Sequence, residues 1–322
     1  MIDGGQRTMK NSRMTGKRNV PDAQDFSRWN RVKPGTNILF SILSLILTFV
    51  TLFPLLFVVI ISFSSEESIV QKGYSFFPTS WSLDAYRYLI RSLDYIGHSF
   101  LLSVAVMAVG TILSLWLIST MAFALSRMDF RLRKLYTILI LIPMFFGGGL
   151  VASYVVNTQL LGLRNSFLAL VLPSACSSWY IFVMRTYFRN NIPSDIYDAA
   201  KLDGAGTLRI FFQIVMPLSR PIFTAIGLFQ AFAYWNSWYY AMLYISPNNK
   251  ELFPLQYVLY SIQKNVEFMS TNDNISGAVV MQMPSETFRM AVVVIIVVPI
   301  LLTYPFFRKY FVKGMTVGSV KE

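Results

Sequence analysis

Six long runs of apolar residues divide this chain, and polar segments separate them. A helix needs about 20 mostly apolar residues to cross the hydrocarbon core of a bilayer, and each run reaches about that length. Lipid cannot satisfy exposed backbone polar groups, so the runs predict an all-α, polytopic membrane protein with six transmembrane helices. The predicted spans are about 37–62, 98–125, 135–156, 166–188, 220–245 and 289–307.

Several prolines fall inside or near the ends of these runs, among them Pro143 and Pro173. Neighbouring helices in a membrane bundle can satisfy the backbone groups that a proline frees. We therefore interpret these prolines as tolerated kinks within spans.

The composition supports a membrane protein. Hydrophobic residue types make up 54% of the chain and charged types 14%, against roughly 25% charged in a typical soluble domain. The net charge of +12 is carried between the apolar runs rather than on one basic face. This pattern is typical of membrane-protein loops and argues against a nucleic-acid partner.

The basic residues also predict the orientation. If the N-terminus is cytoplasmic, 21 of the 28 Lys and Arg residues fall on the cytoplasmic side, as the positive-inside rule requires. Residues 1–36 then form a basic cytoplasmic tail, residues 37–307 the transmembrane domain, and residues 308–322 a second cytoplasmic tail. Both termini are expected in the cytoplasm.

The polar segment at 189–221 has more internal structure than a simple connecting loop. Ser194 is a candidate N-cap, the residues that follow favour a helix to Leu202, and Gly204 suits the left-handed conformation that ends a helix. A second amphipathic helix is predicted from Leu208 to Val215, ending before Pro217. Taken alone, this pattern also fits an interfacial helix that binds no partner.

This loop resembles the "EAA" signature of the permease subunits of bacterial binding-protein-dependent ABC importers. That pattern is Glu-Ala-Ala, three residues, Gly, nine residues, Ile, one residue, Leu-Pro. The matching positions, with Asp for Glu and Met for Leu as the two departures, are Asp198, Ala199, Ala200, Gly204, Ile214, Met216 and Pro217. Weaker similarities, "GGGL" at 147–150, "DGAG" at 203–206 and the C-terminal tail, point to the carbohydrate and oligosaccharide branch.

The resemblance implies the type I ABC importer permease fold in the bacterial plasma membrane. It also implies a second homologous permease, two cytoplasmic ATPase subunits, an external solute-binding protein and a sugar or oligosaccharide substrate. The residues implied in coupling to the ATPases are Asp198, Ala199, Ala200, Asp203, Gly204, Ile214 and Pro217. The resemblance assigns the nucleotide chemistry to the ATPase subunits, and this chain has no phosphate-binding loop of the form G-x-x-x-x-G-K-[ST] with which to bind ATP. We therefore expect no catalysis in this subunit, and we also expect no cofactor and no metal.

A solute path is predicted along the fifth run. Gln230 lies near its middle, and Tyr234 and Asn236 follow towards the outer end. Amides beside aromatic rings suit a sugar, and polar groups in spans tend to face a cavity. The alternative is an ordinary interfacial belt, which the neighbouring Trp238, Tyr239 and Tyr240 resemble.

Three other functions compete with a sugar importer. An intramembrane enzyme would need paired catalytic groups at depth, but the predicted spans contain no Asp or Glu and the single histidine, His98, lies at a span edge. An ion-coupled carrier would normally place ionisable residues near the midplane. An importer of the same family for a non-sugar solute remains open.

Overall fold

The computed structural model describes residues 34–91, 93–271 and 286–317. Within these ranges the chain is helical, with one isolated antiparallel bridge between Ser64 and Trp81 and no strand. The chain divides into two compact units, Met1–Leu55 and Leu56–Glu322. The prediction of an all-α fold is confirmed.

Three helices exceed 25 residues; they are α1 (Pro34–Ser62), α4 (Leu93–Ser126) and α15 (Glu286–Val317). The shorter helices before the 189–221 loop are α2 (Glu66–Lys72), α3 (Asp84–Arg91), α5 (Arg133–Phe145), α6 (Gly149–Val155), α7 (Phe167–Val171) and α8 (Ser178–Asn191). From that loop onwards they are α9 (Ser194–Leu202), α10 (Thr207–Ile210), α11 (Met216–Leu218), α12 (Arg220–Trp235), α13 (Tyr239–Tyr244) and α14 (Leu255–Thr271). Two π-helical turns, Val156–Leu160 and Phe211–Val215, extend α6 and α10.

Two of the predicted spans are unbroken helices in the described part of the chain, namely α1 and α4. The third and fourth apolar runs are each a bent pair instead: α5 meets α6 and its π-turn at 119°, and α7 with its following turn meets α8 at 52°. The sixth run lies within α15, which extends past the last described side chain, Leu301. The total of six spans therefore stays a prediction.

The third run breaks at a stretch that contains three consecutive glycines, residues 147–149. α5 continues through Pro143 and ends at Phe145, and the chain then turns so that Gly149 has a φ of 77°. Only glycine adopts this left-handed conformation without a steric penalty. The run is apolar enough to count as one span, but its backbone does not form one continuous helix.

The predicted bounds of the fifth run need correction. The helix α12 ends at Trp235 rather than at 245, and the chain resumes as the separate helix α13. On its N-terminal side, the segment Thr207–Leu218 meets α12 at 82° around Ser219. The second loop helix was expected to stop before Pro217, but the helical conformation continues through the π-helical turn into α11, so Pro217 lies inside this segment.

The long helix α4 packs against both α8 and α12. At its crossing with α12 a glycine makes room for an aromatic ring, since a Cβ at Gly110 would lie 2.5 Å from Cζ of Tyr234. The end of α4 and the ends of α8, α9 and α10 share one buried apolar cluster, which includes Phe123, Phe188, Ala200 and Phe211.

Candidate functional site

The helix α9 begins one residue earlier than the sequence predicts. Pro193 occupies the N-cap position, and Ser194 is the first helical residue. The Ser194 hydroxyl donates to the Asp195 carboxylate at 3.3 Å instead of capping the helix. The expectation of a Ser194 N-cap was therefore wrong, whereas the predicted end at Leu202 is confirmed.

The end of α9 is a Schellman turn. Gly204 has a φ of 74°, its N–H donates to Lys201 O at 3.0 Å, and the Ala205 N–H donates to Ala200 O at 2.9 Å. These are the paired 5→2 and 6→1 hydrogen bonds that define the motif. Asp203 is the C-cap, and its N–H donates to Ala199 O. The turn predicted at Gly204 is present.

The two faces of α9 differ. Ala200 is buried in the apolar cluster and Tyr197 is half-buried, while Ala199 and the Asp198 side chain are exposed. Leu202, at the tip, is 90% exposed. One side of the helix is therefore fixed to the bundle, and the other is open to a partner.

The remaining motif positions lie in the segment after the turn. Ile214 is half-buried in the π-helical turn and packs against the apolar cluster, and Pro217 is exposed. Leu208, in the first turn of this segment, is 74% exposed. Leu202 and Leu208 thus present apolar surface on either side of the Gly204 turn.

An ionic network that sequence reasoning missed connects α9 with the segment after α4. Arg127 binds Asp129 through Nε, at 2.8 Å, and through one Nη nitrogen. The same carboxylate accepts a hydrogen bond from Lys201 Nζ at 3.2 Å, and Lys201 lies 3.9 Å from Asp198. The hydrogen bonds from Arg127 hold the pKa of the Asp129 carboxyl well below its usual value, so this carboxylate stays charged at physiological pH.

Arg127 is held by aromatic rings as well as by charge. Its guanidinium lies 5.7 Å from the ring centroids of both Phe123 and Tyr197, within the range of a cation–π contact. Hydrogen bonding to Asp129 raises the pKa of the Arg127 guanidinium. A cleft of about 620 Å³ borders this network, with Asn190 and Ser194 among its other lining residues.

The three residues predicted for the solute path lie on or just after α12. Gln230 is buried and donates to Ser174 O at 3.3 Å. Tyr234 is also buried; its hydroxyl donates to Val171 O at 2.9 Å and shares a hydrogen bond with Ser114. The hydrogen bonds of Gln230 and Tyr234 are therefore made to other residues of this subunit.

Asn236 differs from the other two because it is exposed. It donates to Phe232 O and accepts a hydrogen bond from Gln256 Nε2 at 3.2 Å. Close by in sequence, Trp238 stacks on Tyr260 with ring centroids 4.2 Å apart. The role of Gln230, Tyr234 and Asn236 in a solute path stays a prediction.

Comparison with known families decides what kind of protein carries this site. Residues 114–317 match the model of the binding-protein-dependent transport system inner membrane component family. The chain belongs to this family. It is accordingly a multi-pass protein of the bacterial plasma membrane, and the family is one of transport permeases rather than of enzymes.

Individual permeases of this family resemble the chain over most of its length. It is 39% identical to the polygalacturonan/rhamnogalacturonan transport system permease protein YtcP of Bacillus subtilis (strain 168), over 86% of this chain and 95% of YtcP. It is 27% identical to the arabinooligosaccharides transport system permease protein AraQ of Halalkalibacterium halodurans, over 85% of this chain and 93% of AraQ.

A solved permease structure gives the same result for the fold. One chain of a bacterial ABC transporter involved in the import of the acidic polysaccharide alginate aligns with a TM-score of 0.74 at 27% identity. The alignment covers 87% of this permease and 99% of the alginate transporter chain. The predicted type I ABC importer permease fold is confirmed.

Proposed function

We propose that this permease is one of two membrane subunits of an ATP-driven importer for an oligosaccharide, and that α9 is its coupling helix. In this proposal both chain termini and the loop 189–221 are cytoplasmic, a cytoplasmic ATPase subunit grips α9, and an external binding protein delivers the solute. The observation that carries the proposal is the exposed face of α9 beside a rigid turn.

The exposed face of α9 suits a protein partner. Full burial of a leucine side chain is worth about 1.5–3 kcal/mol, and Leu202 and Leu208 both keep most of their surface open in the isolated subunit. Ala199 lies on the same helix as Leu202, and its small side chain lets a partner approach the backbone closely. A cleft in an ATPase subunit would cover these residues and recover that free energy.

The turn at Gly204 suits the transmission of force. Its two cross-turn hydrogen bonds tie the end of α9 to the following segment, and the buried Ala200 anchors the other face in the bundle. Closure of paired ATPases around ATP would move α9, and the bundle would follow towards an outward-facing state. The nucleotide chemistry would take place entirely in the partner.

The relatives support an oligosaccharide as the solute. The names of two of them specify polygalacturonan/rhamnogalacturonan and arabinooligosaccharides, and the similar structure belongs to an alginate importer. All three are carbohydrates, and two of them are acidic. A non-sugar solute is the second candidate within the same family, and uptake measurements with defined oligosaccharides separate the two.

Labelling of cysteines in intact cells tests the orientation and the partner together. In a Cys176→Ser background, Leu202→Cys should resist a membrane-impermeant maleimide added from outside and should cross-link to the ATPase subunit. Val70→Cys is the matched control, because Val70 is 79% exposed and its segment is predicted on the external side. Labelling of Leu202→Cys from outside would overturn the proposal, and uptake that persists without the ATPase subunit would favour an ion-coupled carrier.

A further inference from the structure

The helix α9 has no short covalent connection to α4. It joins α8 through two residues and α10 through the Gly204 turn, but Lys201 and Asp129 are 72 positions apart. Movement of α9 can therefore reach α4 only through side-chain contacts. The contacts at the end of α4 are the direct ones between the two helices, beside the indirect path through α8, which packs along α4.

We propose that Arg127 and Asp129 are positioning residues that fasten α9 to the end of α4, so that the two helices move as one body. This inference rests on the proposed role of α9 in coupling. Asp129 is the central group, since it accepts hydrogen bonds from Arg127 on one side and from Lys201, in the last turn of α9, on the other.

The Arg127 side chain is placed as a structural connector rather than as a solvated surface charge. It is only 11% exposed and lies over Phe123 of α4 and Tyr197 of α9. Its second Nη nitrogen is buried without a hydrogen-bond partner in the described part of the chain. The Lys201–Asp129 contact that crosses to α9 has side chains that are 45% and 51% exposed, whereas those of the Arg87–Asp84 pair in α3 are 69% and 77% exposed, and pairs as exposed as the latter contribute little.

Apolar contacts support the same connection. The Phe123 ring lies 6.4 Å from Tyr197 and 5.1 Å from Phe211, so one aromatic side chain of α4 contacts the elements on both sides of the Gly204 turn. Apolar packing resists separation but is weakly directional. The bidentate Arg127–Asp129 pair lies at the end of α4 and holds the Asp129 carboxylate in a defined plane, and Lys201 of α9 donates to that positioned carboxylate.

This connection gives α9 a route to the centre of the bundle. The helix α4 packs along α12, where Ser114 bonds to Tyr234 and Gly110 receives its ring. A displacement of α9 that moves α4 therefore reaches the segment that contains Gln230 and Tyr234. α9 also reaches the bundle through α8, to which it is joined by two residues, and through the 82° bend at Ser219; the Asp129 connection adds a direct contact with the end of α4.

The test uses the complete importer in proteoliposomes with its binding protein, and the readout is solute imported per ATP hydrolysed. Asp129→Asn keeps the shape of the side chain but removes the charge, and this ratio should fall about tenfold, within the range typical of coupling between sites. Asp84→Asn removes the acidic partner of the exposed pair and should keep the wild-type ratio. An unchanged ratio in Asp129→Asn would overturn the inference.

A reversible cross-link separates positioning from folding. Asp129→Cys with Lys201→Cys, in the Cys176→Ser background, should have a low ratio that a short disulfide-forming bifunctional reagent restores and that reduction lowers again. A ratio that the cross-link does not raise would contradict the inference. If Asp129→Asn does not assemble, Lys201→Met carries the test with the same two outcomes.

The two proposals fail in different ways. If wild-type uptake does not depend on ATP, the proposed function of α9 is wrong. If wild-type uptake depends on ATP but every variant in the network keeps the wild-type ratio, only the connection between α9 and α4 is wrong.

Discussion

A substitution at Gly204 perturbs the proposed coupling helix α9 at a single backbone angle. Its φ of 74° is in the left-handed region, which costs a residue with a Cβ about 1–2 kcal/mol. A Cβ at this position would meet no atom within 4 Å. A substitution at Gly204 therefore strains the backbone without a steric clash, and we expect the subunit to insert and assemble.

The expected effect of Gly204→Ser follows from that penalty. About 1.4 kcal/mol changes an equilibrium tenfold, so the Schellman turn should be open in a much larger fraction of molecules. The amide hydrogens of Gly204 and Ala205, which make the hydrogen bonds of this turn, should exchange with solvent faster by the same factor. Gly204→Asn should have a smaller effect because asparagine tolerates this conformation, and Gly204→Val a larger one because valine is β-branched.

Gly206→Ser is the matched control, since it places the same side chain two residues away. Gly206 has a φ of −68°, also lacks neighbours within 4 Å of a built Cβ, and caps α10, where serine is favoured. Solute imported per ATP should fall roughly 5–30-fold in Gly204→Ser and stay unchanged in Gly206→Ser. Equal ratios in the two variants would refute the assignment of the turn to coupling.

Two further predictions concern the stability of the bundle, measured by thermal unfolding of the purified subunit in detergent. Gly110→Ala should destabilise it by about 1–3 kcal/mol through overpacking against Tyr234, whereas Gly97→Ala, where a Cβ meets nothing, should be neutral or stabilising; equal effects would contradict the close approach. Asn165 has a φ of 55°, and its side chain accepts a hydrogen bond from Ser246 N at 2.6 Å. Asn165→Gly loses this hydrogen bond and should destabilise the subunit by about 1 kcal/mol. Asn165→Ala also places a Cβ in the left-handed region and should destabilise it more, and the reverse order would be inconsistent with this backbone strain.

The sequence alone predicted the α9 turn correctly because its determinants are local. A helix-favouring stretch that ends in Asp203 and Gly204 specifies a helix and its C-cap within a few residues. The predicted start of α9 was wrong by one residue. Ser194 is a favoured N-cap type, but Pro193, which also suits the beginning of a helix, occupies that position. The choice between them changed the N-cap by one residue.

The bends within the apolar runs could not be read from hydropathy. An average over about 20 residues gives the same value for a straight helix and for one that turns by 119°. The bend lies at the extended Phe146 and the three glycines that follow, of which Gly149 is left-handed, and the motif "GGGL" was used only as a similarity to a family. Glycines inside an apolar run deserve a conformational interpretation as well as a hydropathy value.

The ionic network around Asp129 could not be predicted from the sequence, for a different physical reason. Arg127 and Asp129 are two positions apart in a short connecting segment, and a pair of this kind in a loop usually indicates a solvated surface. Its importance depends on Lys201, which is distant in sequence and reaches Asp129 only in the folded bundle. Contacts between residues this far apart in the sequence leave no periodic pattern that a single sequence could show.

The two faces of α9 suit its proposed coupling role, because one face is attached to the bundle and the other is open to the proposed ATPase subunit. In the proposed mechanism, α9 must be held more firmly to the bundle than to its partner, and the buried Ala200, the Gly204 turn and the Asp129 network would provide that attachment. The exposed face offers Ala199 and Leu202, which are free to fit a partner without disturbing that attachment. Substitutions on the exposed face should therefore change the affinity for the ATPase, whereas substitutions at the attachment should change solute imported per ATP.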